Sequence, residues 1–198
     1  MQMRGFCFGL AVGTIVTSLL GQWGLSVASK EADAQKGIAP QRVADYIHSV
    51  LQADRTFYST EVVDRMQKRG IVFASEHWRQ DGDLPLPAQF LLESGRLVAK
   101  QPNNIKFRLI SNWAINRKNG PATDFERTAL TEMLTNTERP YTGIVSDGKT
   151  RVFQAIYPDK ALSSTCAHCH NVHPESPKRD FKVGDVMGGV LITIPLAN

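Results

Sequence analysis

The sequence predicts an α+β domain built on an antiparallel sheet. Three observations carry this expectation. One long amphipathic helical pattern opens the domain. Several later segments alternate apolar and polar residues with a period of two. Those segments are separated by short turn signals rather than by the helical crossovers that a parallel sheet needs. The order reads helix, strand, helix, strand, strand, a cysteine-containing segment, and a last strand.

Each element has a local reason. Lys30 to Ala39 is a polar, small-residue lead-in, and Pro40 opens a helix. Val43, Ile47, Val50, Asp54 and Phe57 fall near one stripe, with Tyr46, Leu51 and Tyr58 beside it. The pattern runs to about Arg69 with a break or bend, and Gly70 suits its end. Ile71 to Ala74 reads as a short strand. Asp81-Gly82-Asp83 and Pro85-Leu86-Pro87 punctuate a loop, and Ala88 to Glu93 forms a helical turn. Asn104 to Ser111 alternates as a strand, Asn116 to Pro121 is turn-rich, and Asp124 caps a helix over Phe125 to Asn136. Tyr141 to Ser146 and Thr150 to Tyr157 form a hairpin around Asp147-Gly148. The last strand is Val190 to Ile194, with Gly188-Gly189 as a bulge or a close backbone approach.

Within this frame the segment Cys166-Ala167-His168-Cys169-His170 stands out. Two thiols separated by two residues, followed at once by histidine, is the spacing that attaches a c-type haem. Cys166 and Cys169 would form thioethers at the porphyrin edge, and His170 would be the proximal iron ligand. Two other readings compete. A redox dithiol wants a thioredoxin-like βαβ unit, which this region lacks. A zinc site needs four ligands, and His168, His170 and His173 crowd the same stretch.

The amino terminus has a secretory pattern: Arg4, then an uncharged run from Gly5, then small residues at Ser26-Val27-Ala28 and Ala32-Asp33-Ala34. Residues 1–34 read as a signal peptide, with an uncleaved membrane anchor as the alternative, because the run from Gly5 to Ser29 is long enough to span a bilayer. Residues 35–198 then form one domain. Export places the protein in the periplasm or otherwise outside the cytoplasm, where c-type haem is attached. Of three cysteines, Cys7 leaves with the signal and two belong to the motif, so no pair remains for a structural disulfide. The balance of 23 basic and 19 acidic residues gives a net charge of +4, and no basic run is interleaved with aromatics. This argues against a nucleic-acid partner.

The chain also resembles a known family. The residues that carry the resemblance are Cys166 to Asn171, His173-Pro174, Ser176-Pro177-Lys178, Asp180, Lys182, Gly184-Asp185-Val186 and Gly188. Pro85-Leu86-Pro87-Ala88, Arg108-Leu109-Ile110-Ser111, Asn116, Asn119-Gly120-Pro121 and Phe125-Glu126 add to them. Together they resemble the PAS-like c-type haem domain family over residues 41–196. The resemblance implies a PAS-like fold with a five-stranded antiparallel sheet, flanking helices and a CxxCH haem loop near the carboxyl end. It implies one covalent haem c. Relatives occur as free-standing haem proteins and as extracytoplasmic sensor domains of histidine kinases and cyclases. No output domain follows the last strand here, so signalling would run through a separate redox or signalling protein.

The sixth iron ligand is open by sequence. Some relatives are thought to use a cysteine, which the mature chain cannot supply. His48 sits off the expected apolar stripe and reads as a solvated surface residue. His77, ahead of Trp78 and the proline-rich loop, is the favoured candidate over Met66, Met133 and Met187. His173 and Asn171 would pack or hydrogen-bond near the porphyrin edge, and Arg108, Arg117, Arg151 and Lys178 are candidates for pairing with haem propionates. The expected function is a redox or haem-based sensory module, with an electron-transfer cytochrome as the alternative. No distal histidine–arginine pair can be assigned from sequence, so a peroxidase-like enzyme is not expected.

Overall fold

The computed structural model describes residues 37–146 and 150–196. The expected signal segment and the Asp147-Gly148 turn lie outside the described residues.

Helix α1 spans Pro40–Phe57, with proline in its first turn. Its inner face is only part of the expected stripe: Val43, Ile47 and Leu51 pack against the core, but other positions do not. Val50 and Phe57 are 60% and 64% exposed, whereas Ala44 is fully enclosed and Arg55 is only 7% exposed. Counting apolar residues misplaces the face because two inward positions carry polar groups. Arg55 meets Asp159, and Ser59 donates to the Arg55 carbonyl at 2.7 Å. The expected break in the helix is a π-helical stretch, Tyr58–Asp64, followed by a short α2, Arg65–Lys68. Gly70 ends the run at φ +63°, in the left-handed region that suits glycine.

The next segment departs from expectation. Strand pairing begins only at β1, Ala74–Ser75, which lies parallel to β2, Leu84–Pro85, with α3, Trp78–Asp81, between them. Ile71 and Phe73 are exposed. The segment expected as a fifth strand therefore belongs to a separate two-stranded pair. Helix α4, Pro87–Val98, is longer than the single turn expected. It is extended by packing: Leu91 is buried, and Gly95 lies so close to the next strand that a Cβ would sit 2.6 Å from the Phe107 carbonyl oxygen.

The main sheet has four antiparallel strands among the described residues. They are β3 (Lys106–Ile110), β4 (Tyr141–Ser146), β5 (Arg151–Lys160) and β6 (Val186–Pro195), in the order β3-β6-β5-β4. Period-two alternation divides the core between its faces. Phe107, Leu109, Ala155, Tyr157, Val190 and Ile192 pack with Ala44 of α1 and Leu91 of α4. Ile110, Ile156 and Leu191 meet Ala129, Leu130 and Met133. Ala129 and Leu130 belong to α5, Asp124–Glu132, and Met133 ends it. The α5 cap is Thr123 rather than Asp124: its side chain accepts from the Glu126 N–H at 3.2 Å. Glu126 is buried, accepting from Arg108 and from the Ala122 N–H, each at 2.7 Å.

At Gly188-Gly189 the close-approach reading holds, and the bulge falls next to the pair, at Met187. The β5–β6 register shifts between Asp159 and Lys160, opposite Gly188 and Val186. A Cβ at Gly188 would also sit 2.4 Å from the Ile110 carbonyl oxygen, a backbone atom with nowhere to retreat. Gly188→Ala should therefore destabilise the domain by about 1–3 kcal/mol. Denaturant unfolding checks this, and an unchanged midpoint would count against the close approach.

Candidate functional site

The cysteine segment is helical, not a loop. Helix α6 spans Ser164–Val172 and carries Cys166, Cys169 and His170. Positions three and four apart share one helical face, so both thiols and the imidazole project together. The residues are poor helix formers by themselves. Tertiary contacts hold the turn instead. Ala167 and Cys166 pack with Ala161, Phe181, Met187 and Trp113. Asn171 clasps the following segment twice: its amide donates to the Phe181 carbonyl at 2.9 Å and its oxygen accepts from the Phe181 N–H at 2.9 Å. The Asn171 side chain thus fixes the helix rather than standing free.

The three motif side chains differ in setting. Cys166 is half-buried, 3.5 Å from the Ser163 hydroxyl, and Cys169 is more exposed. Desolvation of the sulfur, with Glu76 and Cys166 nearby, pushes the Cys169 thiol up. Reactive dithiols are activated by the opposite shift. His170 is half-buried, edge-on to Phe181 at 5.7 Å, and its Nδ1 is buried without a partner. Burial lowers its proton affinity, with Asp159 opposing and His173 and Arg55 assisting. The ring is held neutral, the form that binds a metal. Among the described residues no three or more His, Cys, Asp or Glu side chains converge as a metal-ion cluster, so a zinc site finds no full ligand set. Two free thiols beside a neutral imidazole with an orphaned nitrogen fit covalent haem.

The other expected residues fall in varied places. His173 places Nε2 3.0 Å from Glu76, and its Nδ1 accepts from the Glu175 N–H. This pair docks the β1–α3 connection onto the motif helix. His77 is the next residue along; its side chain is exposed, and its carbonyl accepts from Gln80 and Asp81. Met187 lies in the cluster under α6, Met133 is enclosed in the other core face, and Met66 is half-buried on α2. Arg108 is paired with Glu126, and Lys178 sits over the Phe181 ring at 4.9 Å. Arg117 and Arg151 are exposed.

His48 is not a solvated surface residue. Its ring stacks flat on Tyr157, 4.0 Å between centroids, and its Nε2 is buried without a partner. It lies on the true inner face of α1, two turns before Arg55. Sequence reasoning also missed Arg55 and Asp159, buried side chains that pair with each other. Asp159 closes β5 just ahead of Ala161, one of the residues packed on Cys166 and Ala167. The signal that was available is the spacing of Ala44, His48, Leu51 and Arg55, a helical stripe in its own right.

Three comparisons bear on the chain. A family model described as Tll0287-like matches residues 35–195. No curated protein matches. A solved structure, described as that of the cyanobacterial haem protein Tll0287, is similar at 16% identity, covering 81% of this chain and 98% of that one, with a TM-score of 0.48.

Two predictions follow from the site. Asn171→Ala removes both bonds to Phe181 and should lower stability by about 1–3 kcal/mol in urea unfolding; an unaltered midpoint would mean the clasp carries no weight. His48 has its pKa lowered by burial, against Asp159 and Asp45. The unfolded chain then binds a proton that the folded chain refuses, so this contribution to stability is present above the ordinary value of 6.5 and is lost as pH falls below it. His48→Phe keeps an aromatic ring on Tyr157 but removes the proton site. Its melting temperature should fall less than the unaltered protein's across that acid range, and parallel pH profiles would refute the assignment.

Proposed function

Because this chain belongs to the Tll0287-like family, we propose that it is an exported monohaem c-type protein, a redox or sensory module. One observation carries the reading: a single helical face presents Cys166, Cys169 and a neutral His170 with an unpaired buried nitrogen. Cys166 and Cys169 would hold the porphyrin edge by thioethers, and His170 would bind the iron. Bound there, haem c supplies one-electron exchange and a further coordination position. The protein's part is to orient and enclose. Asn171 fixes the helix, Phe181 meets the imidazole edge, and Glu76 with His173 holds the β1–α3 connection against the same helix.

His77 remains the candidate for the sixth position, from its place ahead of Trp78 and the proline-rich loop. The family relationship supports haem and leaves the role open. A redox sensor working through a separate partner is preferred over a simple electron carrier, and no catalytic role is assigned. Among the described residues no helix is long and apolar enough to cross a membrane. Export to an extracytoplasmic compartment rests on the amino-terminal pattern.

Expression with a c-type maturation system tests the reading. The purified protein should show a Soret band and a mass increased by one haem. Cys166→Ala and Cys169→Ala should each leave less covalent haem, and the double variant none. A plain polypeptide mass with no Soret band would overturn the proposal. Carbon monoxide binding by the reduced protein would favour a sensory role over a six-coordinate carrier, and unchanged spectra of His77→Ala would remove His77 as ligand.

A further inference from the structure

Arg55 is a cation deep in the domain, and Asp159 is its buried partner. The pair does not satisfy the whole guanidinium: Nε of Arg55 is buried with no acceptor. Removing such a pair in favour of apolar side chains is often neutral or stabilising, so net stability alone does not account for it. Its place suggests a task. Asp159 lies two residues before Ala161, which packs against Ala167 and Cys166 of the motif helix. The charges therefore sit at the root of the element that presents His170.

Oxidation of the iron adds one positive charge. Nearby fixed charges act on that change, and more strongly where burial reduces their screening. We infer that Arg55 and Asp159 form an opposed charge pair that sets the reduction potential of the iron held by His170. Arg55 favours the reduced state and Asp159 the oxidised state. The inference rests on the haem reading above and assigns Arg55 and Asp159 as positioning residues for charge, not as iron ligands.

Potentiometric titration of the haem-loaded protein, followed at the Soret band, is the test. Arg55→Met should lower the potential and Asp159→Asn should raise it. Arg55→Lys, which keeps the charge, should stay near the unaltered value. The double variant Arg55→Met with Asp159→Asn should fall between the two single changes. If Arg55→Met does not fold, the rise in Asp159→Asn and the position of Arg55→Lys decide the matter. Shifts of one sign in both single variants, or no shift in haem-loaded Asp159→Asn, would overturn the inference. Absence of a Soret band in the unaltered protein would instead overturn the haem reading, and this inference with it.

Discussion

The contact between Arg55 and Asp159 joins the two halves of the molecule. Arg55 belongs to the helix that opens the domain, and Asp159 to the end of the strand that leads into the motif helix. Because both are buried, neither tolerates misplacement: an uncompensated charge there costs several kcal/mol. The rotation of α1 follows from this. The helix turns Arg55 and His48 inward and leaves Val50 and Phe57 toward solvent.

The sheet does the rest of the positioning. Strand β5 alternates Ala155 and Tyr157 toward α1, with Ile156 toward α5. That parity places Asp159 on the α1 side, where Arg55 meets it. Strand β6 lies between β3 and β5, and its glycines allow the Ile110 carbonyl to approach at the level of Met187. The Ser111 hydroxyl donates to the Met187 carbonyl at 2.6 Å there. Met187 in turn packs under α6. The motif helix is thus seated on a surface fixed from both neighbouring strands.

Much of this was legible in the chain and some was not, for identifiable reasons. The strands at Lys106–Ile110, Tyr141–Ser146 and Arg151–Lys160 were visible because one face of each is apolar. The thiol spacing was visible because attachment chemistry dictates it. Arg55 was not, since a charged residue on a helix ordinarily marks water, and its partner lies 104 residues away. Helix α4 runs past the turn expected at Ala88 to Glu93, through Gly95, where glycine gives clearance over Phe107. The resemblance implied a loop for the motif, and the clasp from Asn171 to Phe181 helps hold it as a helix. The strand expected at Ile71 failed for want of a neighbouring edge in the main sheet.

The central place of β6 has a temporal side. It is an interior strand of the sheet, yet it follows Cys166 and Cys169 in the chain. A polypeptide delivered amino end first presents both thiols while the slot between β3 and β5 is still vacant. Long-range pairings such as Lys106 with Thr193 form late, after the loop-closure entropy has been met. Insertion of the final strand completes the seat of the motif helix without covering the thiols, since Cys169 stays exposed and Cys166 half-buried.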